Sequence, residues 1–116
     1  MEKIKEKFSN DVDTMSNIIL AIETNNVVAF EYHKDVGFTD IRKVLPHNLY
    51  WNKDDSKVLL DGYQISGDSK SGIKSFKQFD CKFIKACIIL DEKFTIQKGY
   101  NATSDRYSKS ILGVIE

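Results

Sequence analysis

The chain is poor in the residues that interrupt or cross-link a polypeptide. Its 116 residues include one proline, Pro46, and six glycines, which leaves no room for a long linker. Lys plus Arg and Asp plus Glu are equal at 17, so the formal net charge is zero. No global field therefore draws the chain to nucleic acid or to a membrane. No apolar run reaches about 18 residues, the length of a spanning helix. The charged N-terminus does not read as a secretory leader, so a cytoplasmic protein with no membrane partner is expected. The cysteines are Cys81 and Cys87. On one continuous strand they would lie roughly 20 Å apart at about 3.3 Å per residue, too far for a disulfide, and both are expected reduced. The Asn101-Ala102-Thr103 sequon then carries no glycan. His33 and His47 are the only histidines. Neither has a Cys or His at ligand spacing, so no structural zinc and no cofactor is expected. Ser, His and Asp occur without a nucleophile-elbow sequence, and the chain is expected not to be an enzyme.

What remains is an ordinary globular composition, 41% hydrophobic and 29% charged, enough for one domain over residues 1–116 with one modest core. Ile18, Ile19, Ala21 and Ile22, with Val12 and Met15, repeat at helical spacing and predict a helix over about 11–24. Ser9, Asn10 or Asp11 would cap it, and Asn25-Asn26 would end it. Residues 1–8 read as a frayed lead-in. Alternating Val28, Phe30 and Tyr32 predict a first strand over 27–33. Strands over 38–50, 57–65, 73–80 and 83–90 follow, separated by turns at 34–37 and 52–56. Pro46 within the second strand marks an edge or a bulge. Tyr107, Ile111 and Ile115 lie four apart and predict a short C-terminal helix over 104–115. No helix separates consecutive strands, so a parallel crossover sheet is excluded. A small antiparallel barrel or strongly bent sheet over about 27–90 is the natural solution, followed by an extension over about 91–116.

The order of motifs carries more information than any one of them. Ile18-x-x-Ala21-Ile22, Val28-x-Phe30-x-Tyr32, Arg42-Lys43-Val44-Leu45-Pro46, Leu60-x-Gly62-Tyr63 and Lys77-x-Phe79-x-x-x-x-Ile84 resemble, in order and spacing, the WYL domain from about Asn17 to Phe94. At the place of the family's namesake tripeptide the chain has Val58-Leu59-Leu60. The resemblance implies a mainly β, α+β fold: a small five-stranded antiparallel Sm-like barrel with an N-terminal helix. It also implies a ligand-sensing role, often toward nucleotides or nucleic acid. The helix-turn-helix that usually precedes such a domain in bacterial regulators has no counterpart in the 16 or so residues upstream.

Five lysines, Lys70, Lys74, Lys77, Lys82 and Lys85, face Asp80 alone between Ser69 and Ile88. This stretch is either an anion-binding surface or a solvated strand edge. The loop over 67–75 is a near miss for a phosphate-binding P-loop. Ile73 breaks its Gly-Lys-Ser register, and it feeds a strand instead of a helix. Its backbone N–H groups can still form an anion nest, with Ser69, Lys70 and Lys74 contributing. Arg42 can clamp phosphate or carboxylate, or pair with Glu31 or Asp40. Tyr63 can stack on a base or hydrogen-bond. Arg42, Tyr63, Lys74, Lys77, Ser69 and Lys70 are thus the candidate binding residues for an anionic, nucleotide-like small molecule. A stand-alone binder of this kind would be a sensor, or a sequestering protein of the sort that suits phage counter-defence. The alternatives are a protein-interaction or homo-oligomeric assembly module and a small single-stranded nucleic-acid-binding protein.

Overall fold

The computed structural model describes residues 2–33, 41–67 and 74–115, with backbone alone for 2–12. Helix α1 spans Glu2–Thr24. It starts well before the predicted residue 11, because Glu, Lys, Ile and Phe over 2–8 are all compatible with a helix and no Gly or Pro stops it. Among the described side chains Thr14, Ile18, Ala21 and Ile22 are its buried positions, one stripe at helical spacing. The helix ends where Asn25 takes φ 56, a left-handed conformation that Asn tolerates at a C-terminus.

Among the described residues six strands follow: β1 Asn26–Tyr32, β2 Ile41–Trp51, β3 Val58–Ser66, β4 Ser75–Asp80, β5 Ile84–Lys93 and β6 Ser110–Gly113. They form one sheet in the order β4-β3-β2-β1-β5, with β6 on β2, and every pairing is antiparallel. The predicted turn at 34–37, the start of the second strand at 38–40 and Ile73 lie outside the described residues. Among the described residues the sheet is bent but not closed: β4 and β5 are its end strands. A 3-10 turn, Cys81–Phe83, joins them. The apolar face that a closed barrel would bury against itself is covered instead by α1, whose Ile18, Ala21 and Ile22 join Val28, Phe30, Val44, Leu49, Leu60, Phe79 and Ile84 in one core. Phe79 stands edge-on to Phe30 and to Tyr32, each at 5.1 Å. Cys81 lies in the turn and Cys87 in β5, and both are free thiols.

Pro46 divides β2. Residues before it pair with β1, and residues after it, Asn48 to Tyr50, pair with β6. A proline offers no N–H to a ladder, and the pairing with β3 slips between Pro46 and Asn48, the signature of a bulge. The predicted C-terminal helix over 104–115 is absent. The segment forms a 3-10 turn, Asp105–Tyr107, and then β6. The second half of β2 has an edge that β1 leaves vacant. Trp51 N–H donates to Lys109 O at 3.1 Å and Val114 N–H to His47 O at 2.9 Å across it. A pairing edge outweighs a four-residue apolar spacing in a segment this short.

Candidate functional site

Strand alternation gives β3 two faces. Leu60, Gly62 and Gln64 face α1, and Leu59, Asp61 and Tyr63 the opposite side. On that outer side the chain beyond β5 returns across the sheet. Its anchor is His47, fully buried, whose ring packs against Phe76, Phe94 and Tyr100 at 4.9, 5.3 and 5.2 Å. Nδ1 lies 2.8 Å from Leu45 O and Nε2 accepts from Gln97 N–H at 3.0 Å. The carbonyl can only accept, so Nδ1 carries the proton and the ring is neutral. Desolvation lowers its pKa, overriding the bond to Leu45.

A few residues further on, the returning chain reaches Asp61, a carboxylate only 2% exposed. Oδ1 accepts from Tyr50 at 2.7 Å. Oδ2 accepts from Tyr107 at 2.7 Å and from Arg106 Nη1 at 3.0 Å. Gln78 Nε2 donates to the Tyr50 hydroxyl at 2.8 Å, completing the set. Burial pushes the Tyr50 phenol up to about 12, with the Asp61 charge adding to it. Tyr107 is raised for the same reasons, burial first. The Asp61 charge also raises Arg106. Three donors around one carboxylate is the arrangement a buried charge requires.

Above this network lies a pocket of about 310 Å³ lined by Asp61, Phe76, Lys77, Gln78, Gly99, Tyr100, Arg106 and Tyr107. The Arg106 side chain is 56% exposed, so its guanidinium has donors left beyond the one on Asp61. Phe76, Tyr100 and Tyr107 provide aromatic walls. Polar donors, a cation and ring faces in a concave site can hold a small anion that carries a ring.

The candidate residues from the sequence divide between the two faces. Arg42 faces α1: its Nη1 donates to Gln64 Oε1 at 3.3 Å and its guanidinium lies 5.3 Å over the Tyr32 ring. Glu31, one expected partner of Arg42, has His33 Nε2 at 2.9 Å. Tyr63 is on the outer face, 5.3 Å from the Phe76 ring, with its hydroxyl donating to Lys74 O at 3.4 Å. Lys74 is exposed. Lys77 borders the outer pocket, but as the cross-strand partner of Gly62 its side chain lies on the α1 side of the sheet, with Phe79. Ser69 and Lys70 lie outside the described residues. The structure thus brings Tyr63 and Phe76 together on the outer side and sets Arg42 and the Lys77 side chain on the other. Asp61, Gln78, Tyr100, Arg106 and Tyr107 were not singled out as a site from sequence. The only signal was an aspartate at a strand position otherwise lined by apolar residues.

A helix followed by a bent, open antiparallel sheet is a small α+β architecture, and its likeness to a solved structure supports a WYL-like fold. No family model matches the chain and no curated protein matches it. Among solved structures it is similar to proteasome accessory factor B/C (PafBC) of Arthrobacter aurescens, with a TM-score of 0.61 and 20% identity. The match covers 77% of this chain and 13% of that one, so the chain corresponds to a small part of that protein's length. Among the described residues no helix is long and apolar enough to cross a membrane.

Proposed function

We propose that this chain is a non-catalytic regulatory domain that binds an anionic, nucleotide-type small molecule in the outer pocket. The observation that carries the reading is the pocket itself: Arg106 held at its rim by a buried Asp61 and aromatic walls from Phe76 and Tyr100. Arg106 would meet phosphate, and a base would stack on the rings. Native mass spectrometry of the chain as purified, before and after mild denaturation, tests it. Release of a phosphate-bearing molecule with nucleotide absorbance, lost in Arg106→Ala and Arg106→Lys, is the expected result. If the molecule is retained by both variants, it binds elsewhere.

A second reading, a protein-interaction or homo-oligomeric module, is favoured by the two end strands β4 and β5, which can pair with another chain. A salt titration separates these from single-stranded nucleic-acid binding. Affinity for an oligonucleotide falls steeply with salt, whereas apolar assembly does not.

A further inference from the structure

A second concave site lies on the other side of the molecule, and the reading above does not use it. It is a pocket of about 400 Å³ where α1, the end of β2, the start of β3 and the 3-10 turn meet. Its apolar walls are Met15, Trp51, Val58 and Cys81. Trp51 is 41% exposed, an unusual place for the chain's one tryptophan, since a ring of that size is ordinarily covered. Burial, and then the charge of Asp80, pushes the Cys81 thiol up to about 12, so this wall is neutral and apolar at ordinary pH.

Charge is confined to the lining's polar members, Lys57, Lys82 and Asp80. Asp80 is already committed. Its Oδ1 accepts from Lys82 N–H at 3.1 Å and its Oδ2 is 3.7 Å from Lys82 Nζ. Lys82 also lies over the Phe83 ring at 5.0 Å. Lys57 is exposed, and its ammonium has no ion-pair or hydrogen-bond partner among the described residues. The site therefore combines apolar walls, an open indole face and one cation without a counterion.

We infer that this pocket binds a small amphipathic monocarboxylate: an apolar chain or ring set against Trp51, Met15 and Val58, with its carboxylate on Lys57. The volume falls within the range of small-molecule sites. An apolar body buried beside an ammonium satisfies both parts of the lining. A neutral apolar molecule would leave Lys57 unpaired, and a simple inorganic anion would leave the walls uncovered.

Trp51 reports on the site directly, because no other indole contributes to emission. The full chain is titrated with sodium decanoate below its micellar range, reading Trp51 emission and, in parallel, heat by calorimetry. The expected result is a saturable blue shift with one decanoate per chain, an affinity about fivefold weaker in Lys57→Gln, and weaker binding of 1-decanol than of decanoate. Lys57→Glu, a surface change that leaves the walls intact, should weaken decanoate further while retaining the wild-type circular dichroism. Absence of both heat and spectral change overturns the inference. So does equal binding of decanol and decanoate, or a Lys57→Gln affinity equal to wild type. A bound nucleotide in the outer pocket should not compete, so either site can fail without the other.

Discussion

Replacing Asp61 with alanine tests whether the outer network holds the C-terminal segment to the sheet. The wild-type carboxylate is 2% exposed and accepts from Tyr50, Tyr107 and Arg106. Alanine leaves three donors without an acceptor. The Arg106 side chain is 56% exposed and can turn to water, so its share is small. The two phenols are largely buried and each loses about 1–2 kcal/mol. With the small cavity, the total is about 3 kcal/mol. At roughly 4 °C per kcal/mol for a chain of this size, the midpoint falls by roughly 12 °C. Asp61→Asn keeps one acceptor, and a phenol can rotate to accept from its amide, so about half the loss is expected. Urea denaturation at pH 7 measures both. Hydrogen exchange at the Val114 amide, bonded to His47 O, reports locally and should quicken in Asp61→Ala before global unfolding. A loss below about 1 kcal/mol, with Val114 protection unchanged, would refute the view that this carboxylate fastens the segment.

Three further outcomes follow from other contacts. A Cβ built on Gly62 would come 2.3 Å from Val44 Cγ1 and 3.2 Å from Leu45 O. Gly62→Ala should therefore cost about 1–3 kcal/mol by urea denaturation, and Val44→Ala in the same chain should recover part of it; a plain sum of the two losses would rule out the clash. His47 is buried and neutral with a lowered pKa. The unfolded chain therefore takes up the proton first, near pH 6.5. Stability is fully present above that pH and is lost as pH falls toward the lowered folded value. In the His33→Gln background, which leaves His47 as the one histidine, urea midpoints that stay flat from pH 7 to 5 would contradict the assignment. Arg42→Ala removes the stack on Tyr32 and the bond to Gln64. It should lower stability by about 1 kcal/mol and leave any nucleotide co-purifying with the chain in place; loss of that molecule would move the site to the α1 face.

What could be read from the sequence was whatever repeats locally. The helix stripe of Ile18, Ala21 and Ile22 and the alternation of Val28, Phe30 and Tyr32 are periodic, and these residues form the core. Pro46 was legible as a bulge or edge because a missing N–H has the same meaning wherever it occurs. The C-terminal segment is illegible for the converse reason. Tyr107, Ile111 and Ile115 carry a four-residue spacing, but Tyr107 is fixed by Asp61 and residues 110–113 by the vacant edge of β2. Both partners are more than 40 residues away, and no local pattern encodes them. The same distance hid the outer pocket. Arg106 and Asp61 are 45 positions apart, and the lysine-rich stretch lies between them, so local charge points to 69–77 instead. A buried aspartate at a strand position flanked by Leu60 and Gly62 was the one available clue. Read as a demand for donors, it points to Tyr, Arg or Gln from another segment, and the segment beyond β5 supplies Arg106 and Tyr107. Fold and candidate site therefore share one cause: His47 faces outward where β2 bulges, the imidazole accepts from Gln97, and the chain beyond is led across β3 to close over Asp61.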